Sequence, residues 1–304
     1  QGVLQATAPP MPLSHLLLVL AICLAWGGNF LASAYALQHF PPFVYTALRL
    51  CVVLLCLLPL LRRLPQGQWP RLVAVCLLNG ALHFGLNFMA LRQAGDISSV
   101  AIALQSYVPI SALLAVWLLG ERIGWRTGAG IGLAFGGVLV LGFDPLVLDA
   151  PAALLTTLFA ALALALGTVL MRGLRNIGPF ELQAWTAVLG IPFLLVLSAA
   201  FEQGQVEAIA AAGWGHWGAV AYSGLIASLV GHGLLFWLVQ RHPVSQITPY
   251  LLLTPIIAIA LGVLAWGDRP GPKLVVGGLM VLGGVMLSAL RAIVRRRPLP
   301  LPLD

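Results

Sequence analysis

Apolar residues run along this chain in ten blocks of about twenty, and polar or charged residues are confined to short clusters between them. The blocks cover 13–38, 42–61, 71–92, 97–119, 124–143, 152–171, 180–201, 217–240, 244–266 and 273–294. A run of that length is what an α-helix needs to cross the hydrocarbon core of a bilayer at ~1.5 Å per residue. A spanning β-barrel would need segments of about ten residues that alternate apolar and polar, and the continuous runs exclude it. The intervening clusters hold Gly, Pro, Asp and Arg, the composition of tight turns. The pattern predicts an all-α polytopic membrane protein.

Part of the pattern occurs twice. Val108-Pro109-Ile110, Gly120-Glu121-Arg122, Gly130 and Gly136-Gly137-Val138 recur as Thr254-Pro255-Ile256, Gly267-Asp268-Arg269, Gly277 and Gly283-Gly284-Val285. The offset is 146 residues at the prolines and 147 from the glycines onward. Two copies imply two structural units, 13–145 and 151–294, with the seam at 144–151. Residues 1–12 and 295–304 are expected as short cytoplasmic tails, in part not native to the chain. Five helices per unit is an odd number, so the second unit enters the membrane upside down. The expected architecture is ten transmembrane helices as two inverted five-helix repeats, related by a pseudo-two-fold axis in the membrane plane. Exchanging the conformations of two such halves exposes one central site to either side in turn.

Composition agrees: 60% of the 304 residues are apolar, 8% are charged, and mean hydropathy is +0.99. The net charge of +7 sits in the loops, and there is no soluble domain, so no nucleic-acid partner is expected. With the N-terminus inside, twelve basic residues face the cytoplasm, namely Arg62, Arg63, Arg71, Arg122, Arg126, Arg172, Arg175, Arg241, Arg291, Arg295, Arg296 and Arg297. Only Arg92, Arg269 and Lys273 face outward, which places both termini in the cytoplasm. Cys23, Cys51, Cys56 and Cys76 lie inside apolar runs without metal-ligand spacing, so no disulfide, metal or cofactor is expected. Gly128, Gly132 and Gly136 mark a small-residue ridge on the fifth helix, expected to pack within one protomer. The oligomeric expectation is a monomer or a weak homodimer.

Several polar residues fall near mid-depth, where a group facing lipid would be unsatisfied and costly. Asn79, His83 and Asn87 are spaced by four and share a face of the third helix. Ser228 and His232 repeat the spacing of Asn79 and His83 in the second half. Trp26 and Asn29 stand in the first helix, Gln105, Ser106 and Tyr107 in the fourth, Tyr250 and Thr254 in the ninth. All are expected to face inward, either lining a cavity or bonding helix to helix. Trp26 is deep and adjoins Gly27 and Gly28, whereas Trp69, Trp125, Trp214, Trp217 and Trp266 sit at helix ends in the interfacial belt. Pro109 and Pro255 each remove an amide and bend a helix in mid-membrane, as fixed kinks or as hinges. Arg49 is the one strongly charged residue inside a span. It must snorkel outward, pair with carbonyls or attract a substrate carboxylate, and a structural or gating role is favoured.

Trp26-Gly27-Gly28-Asn29-Phe30, Ala47-Leu48-Arg49, Pro109, Leu119-Gly120-Glu121-Arg122 and its second copy together resemble the EamA family of the drug/metabolite transporter (DMT) superfamily. The resemblance covers about residues 14–294, and within the family it is strongest to YddG-type exporters of aromatic amino acids. It implies a substrate cavity between helices 1 to 4 and 6 to 9, with helices 5 and 10 behind. The second half departs from the pattern: Leu166-Gly167-Thr168 stands where the first has Trp26 to Asn29, and no arginine partners Arg49.

Rival functions fit less well. A hydrolase lacks its motif, since Ala221-Tyr222-Ser223-Gly224 has no glycine before the serine and no His-Glu-x-x-His occurs. A channel would need symmetric rings or a carbonyl filter. Phosphate-bearing substrates require several buried cations, and a small-multidrug-type exporter requires a membrane glutamate. The expectation is an alternating-access carrier that exports amino acids, with aromatic or other bulky apolar ones favoured. Its partners are that small-molecule substrate and the lipid bilayer. Only His83 and His232 titrate in the core, so facilitated diffusion is favoured, with proton-coupled efflux as the alternative. Fifteen arginines against one lysine point to a GC-rich bacterial genome and an inner membrane.

Overall fold

The computed structural model describes residues 11–61, 67–120, 124–239, 241–242, 247 and 250–292. Every regular element among these residues is helical. In chain order the main helices are α1 Leu13–Leu37, α2 Pro42–Leu60, α3 Trp69–Ala94, α4 Ser98–Leu118, α5 Trp125–Leu141, α6 Pro151–Met171, α7 Pro179–Phe201, α8 Trp214–Leu235, α9 Leu253–Trp266 and α10 Pro272–Leu287. Helices α5, α9 and α10 are short apolar helices; the other seven are long and apolar enough to cross a membrane. α8 continues helically to Val239 and α10 to Ala292.

Prolines and glycines punctuate these helices. Pro42, Pro151, Pro179 and Pro272 stand at helix starts, where a missing amide costs nothing. Gly95, Gly120 and Gly267 end helices in the left-handed conformation, with φ of 69°, 65° and 89°. The repeated glycine of Gly120-Glu121-Arg122 and Gly267-Asp268-Arg269 is therefore a helix stop. Glu121 and Arg122 lie outside the described residues, as do Arg62, Arg63, Arg295, Arg296 and Arg297 from the basic set.

The helices pack chiefly between the two sequence units. α5 lies against α10, α2 against α7, α3 against α6, and α1 against α8 and α9; α3 also meets α7, α2 meets α8 and α4 meets α6. Moving every helix five places along the chain maps these pairs onto themselves: α1–α8 becomes α6–α3, α1–α9 becomes α6–α4, and α2–α8 becomes α7–α3.

α5 and α10 show the same exchange at single residues. A Cβ built on Gly137 would lie 2.5 Å from the Gly277 carbonyl oxygen, and one on Gly284 would collide with the Gly130 carbonyl. Contact ascends on one helix as it descends on the other, so the two run antiparallel. The expected ridge is not this seam: nothing lies within 4 Å of a Cβ on Gly128 or Gly132, and one on Gly136 meets only the Met280 methyl at 3.4 Å. Close backbone approach needs glycines seven apart, two helical turns, because that spacing returns to the same face.

Carboxylates fasten one end of the bundle. Glu202, after α7, accepts from the Phe43 and Val44 amides of α2 at 2.7 and 3.3 Å. Asp268, after α9, accepts from the Ile97 and Ser98 amides at the start of α4 at 3.0 and 2.8 Å. Asp144, after α5, accepts from the Leu274 amide of α10 at 2.9 Å. Each acid satisfies orphan amides at the positive end of a helix dipole. Trp266 Nε1 donates to the Gly95 carbonyl and His39 to the Ala208 carbonyl at this same end. At the opposite end Arg71 donates to the Gly173 carbonyl at 2.9 Å, and Gln68 bonds the Arg175 backbone, tying the α2–α3 connection to the α6–α7 one.

Candidate functional site

Two helices lose their regular pitch at equivalent places: α3 is π-helical over Cys76–Leu82 and α8 over Tyr222–Gly231. In a π turn each amide reaches one residue further back, which re-phases the ladder and leaves carbonyls for other donors. Around α8 those donors are side chains. Trp26 Nε1 donates to the Ala227 carbonyl at 2.9 Å, Ser228 Oγ to the Ser223 carbonyl at 2.7 Å, and His232 Nδ1 to the Ser228 carbonyl at 3.0 Å. α4 breaks too, since Pro109 has no amide to offer the Gln105 carbonyl, and Leu104–Ser106 forms a 3-10 turn just before it. Pro255 likewise follows a turn at Leu252.

Arg49 stands between the interrupted stretches of α3 and α8. It is 3% exposed, its Nε donates to Ser228 Oγ at 3.0 Å, and its guanidinium carbon lies 3.6 Å from the centroid of the Phe84 ring. Its NH1 nitrogen is buried without an acceptor, and among the described residues no carboxylate pairs with it. Helix α3 supplies the polar neighbours. His83 is 4% exposed and donates through Nδ1 to the Ala160 carbonyl of α6 at 3.0 Å, while Asn79 presses against Gly167 two turns along α6. The carboxamide oxygens of Asn29, Asn79 and Asn87 are all buried without a hydrogen-bond partner.

α1 completes the site. The Trp26 ring packs 5.1 Å from that of His232. Its Gly27 meets Ile257 and the Thr254 carbonyl of α9, and its Gly28 meets Tyr222 of α8, so two bare backbone positions let α1 lie close against both helices. Beside the polar cluster runs an apolar wall: Phe30, Leu86, Tyr107 and Ile110 pack on Leu104, Ala160 and Ala161.

The structure thus brings Trp26, Arg49, Ser228 and His232 together and sets Asn79 and His83 against α6. Gln105 is half-buried in the 3-10 turn, and Tyr250 is 43% exposed with its carbonyl accepting from Cys23 Sγ at 3.5 Å. Phe84, the platform under Arg49, and the wall residues Phe30, Leu86 and Ile110 escaped the sequence reading, because nothing in a run of apolar residues marks which of them adjoin a charge.

The α1–α8 seam that flanks the centre is tied at both ends. His15 Nδ1 and His242 Nε2 share a hydrogen bond of 2.6 Å at one end. At the other, the His216 ring stacks on Tyr35 and His39, with centroids 5.1 and 4.2 Å apart. A single permanent cation, neutral donors and acceptors and an aromatic wall form a set that can bind a ligand; among the described residues no three His, Cys, Asp or Glu side chains come together as a metal site.

The family model of EamA-like transporters matches this chain twice, over residues 13–143 and 151–290. The chain belongs to the EamA-like transporter family. It is a multi-pass membrane protein and a transporter rather than an enzyme. A probable amino-acid metabolite efflux pump of Salmonella typhimurium is 25% identical over 92% of this chain and 96% of its own length. A probable terminal-alkyne amino-acid exporter of Streptantibioticus cattleyicolor is 29% identical over 80% of this chain and 81% of its own. Among solved structures, one protein crystal structure superposes with a TM-score of 0.61 at 18% identity, covering 93% of this chain and 99% of that one, a likeness of fold.

Proposed function

We propose that this EamA-like transporter exports amino acids with bulky apolar side chains across a bacterial inner membrane. One observation carries the reading: Arg49, the one buried cation among the described residues, sits beside neutral polar groups and an apolar wall at the packing junction of the two sequence units. That set is complementary to a zwitterion with an apolar body and is too poor in cations for a phosphate ester. The names of the two relatives, probable amino-acid metabolite efflux pump and probable terminal-alkyne amino-acid exporter, point the same way.

The transport cycle is alternating access by ten transmembrane helices in two inverted halves with both termini in the cytoplasm. Packing pairs that survive a five-helix shift, and the antiparallel α5–α10 seam, support the inversion. Connections meeting alternately at two ends of the bundle support ten crossings. The α1–α8 seam, tied at either end by aromatic and histidine contacts, is where each side opens in turn, with the breaks at Pro109 and Pro255 as the flexible points. The site is complete within one chain, so a monomer suffices. Transport runs down the substrate gradient, because the buried acids are held on helix amides away from the centre.

The test is growth of bacteria expressing the protein in the presence of toxic analogues of phenylalanine, tryptophan, threonine and cysteine. Relief from an aromatic analogue is expected. Relief from none, with the protein present in the membrane, rejects the reading.

A further inference from the structure

The centre holds two unused groups of opposite character. Arg49 is 3% exposed, spends Nε on Ser228, lies flat on Phe84, and leaves NH1 buried with no acceptor. Asn87 is 4% exposed and leaves its carboxamide oxygen buried with no donor. A guanidinium withdrawn from water needs a counter-charge, and the carboxylates of Asp144, Glu202 and Asp268 are already engaged by helix amides.

Both groups border the same stretch of α3. Asn87 follows His83 by four residues and Phe84 by three, so at ~100° per residue it projects between the face of α3 that bonds α6 and the face that carries Arg49. The Arg49 guanidinium reaches along that second face, 3.6 Å from the Phe84 centroid and 5.9 Å from that of Phe88, the residue next to Asn87. An orphan cationic donor and an orphan neutral acceptor bordering adjoining faces of α3 match a ligand that carries an anion and an ammonium on neighbouring atoms.

We propose that Arg49 and Asn87 form a headgroup clamp for an α-amino acid. Arg49 NH1 donates to the α-carboxylate, the Asn87 carboxamide oxygen accepts from the α-ammonium, and the side chain points to Phe30, Leu86, Tyr107 and Ile110. A neutral acceptor suits this place, since an aspartate there would pair with Arg49 and fill the site from within. Specificity then resides in the headgroup: the clamp disfavours amides, which bring no negative charge to neutralise the buried Arg49, and N-acylated analogues, which offer Asn87 a bulkier, uncharged donor in place of an ammonium. This inference rests on the reading of the chain as an amino-acid carrier.

The experiment is counterflow in liposomes containing the purified full chain. Labelled phenylalanine competes with unlabelled phenylalanine, phenylalaninamide or N-acetylphenylalanine, with wild type, Arg49→Lys, Arg49→Gln and Asn87→Leu compared. Wild type should prefer phenylalanine over both analogues by at least roughly tenfold. Arg49→Gln should lose preference over the amide and keep it over the N-acetyl compound, Asn87→Leu should do the reverse, and Arg49→Lys should be intermediate. Unchanged preferences in folded Arg49→Gln and Asn87→Leu, with amino-acid transport intact, overturn the clamp and leave the carrier reading standing. Should either variant fail to fold, equal competition by the amide in wild type alone overturns it. No amino-acid transport by wild type overturns both.

Discussion

Gly137 and Gly277 meet backbone to backbone: a Cβ on the first would lie 2.5 Å from the second's carbonyl oxygen, and a Cβ on the second 2.6 Å from the first's. With Gly130 and Gly284 they let α5 and α10 touch along their length. In lipid such contact is a main source of helix association, because no hydrophobic effect separates helix from solvent. Gly137→Val or Gly277→Val should destabilise the protein by about 1–3 kcal/mol or more, as overpacking does. Thermal unfolding in detergent measures it, with Gly132→Ala as a control that should not destabilise, because nothing stands within 4 Å and alanine favours the helix.

Trp26 and His83 both bond carbonyls of the second sequence unit, Ala227 and Ala160. Losing one such bond costs about 1 kcal/mol of stability, and Trp26→Ala adds lost indole packing, up to about 3–5 kcal/mol, so abundance is measured beside transport. Trp26→Ala and His83→Ala should each cut export per unit of membrane protein by roughly tenfold or more, about 1.4 kcal/mol of lost function, with membrane abundance of His83→Ala near normal. Export assays paired with immunoblots decide it. Normal export by either variant assigns that residue to the scaffold.

Asp96 predicts a pH dependence of stability. In the α3–α4 connection its carboxylate is 3% exposed and accepts from the Ser99 amide and hydroxyl, both at 2.7 Å. Burial first, and then the Asp268 and Asp144 charges, push its pKa from 3.8 to about 6 against the Ser99 hydrogen bonds. Between those values the folded chain holds a proton that the unfolded chain has released. Stability from this group therefore falls as pH rises through the window, by on the order of 2 to 3 kcal/mol. Tm measured from pH 4.5 to 8 should decline for wild type and decline less for Asp96→Asn; parallel curves would contradict the assignment.

The proposed orientation, with both termini in the cytoplasm, follows from twelve basic residues against three. Alkaline phosphatase fused after Arg291 should be inactive, and the same fusion in the α3–α4 connection after Gly95 should be active. An active fusion after Arg291 would sink the ten-crossing topology.

Much of the architecture was legible because helices in lipid are written as long apolar runs, and because the repeat aligned Pro109 with Pro255 and Gly120 with Gly267. The same repeat held the α5–α10 seam, but spacing by four pointed to Gly128 and Gly132 where the contact runs through Gly130 and Gly137. The π segments were not legible, since a wider turn has no composition of its own. Nor was the Arg49–Ser228 bond, which spans 179 residues and follows from tertiary packing alone. Glu202, Asp144 and Asp268 read as loop acids; their work in capping helices of the other half appears only when the two halves are packed.

The account rests most directly on flux through the purified protein. Liposomes loaded with labelled phenylalanine or tryptophan, with equal pH and equal ions on both sides, report whether substrate moves down its own gradient. Equilibration in the presence of the protein, slowed in His83→Ala, is the predicted result. Flux that appears only under an imposed proton gradient, or no amino-acid flux at all, contradicts the account.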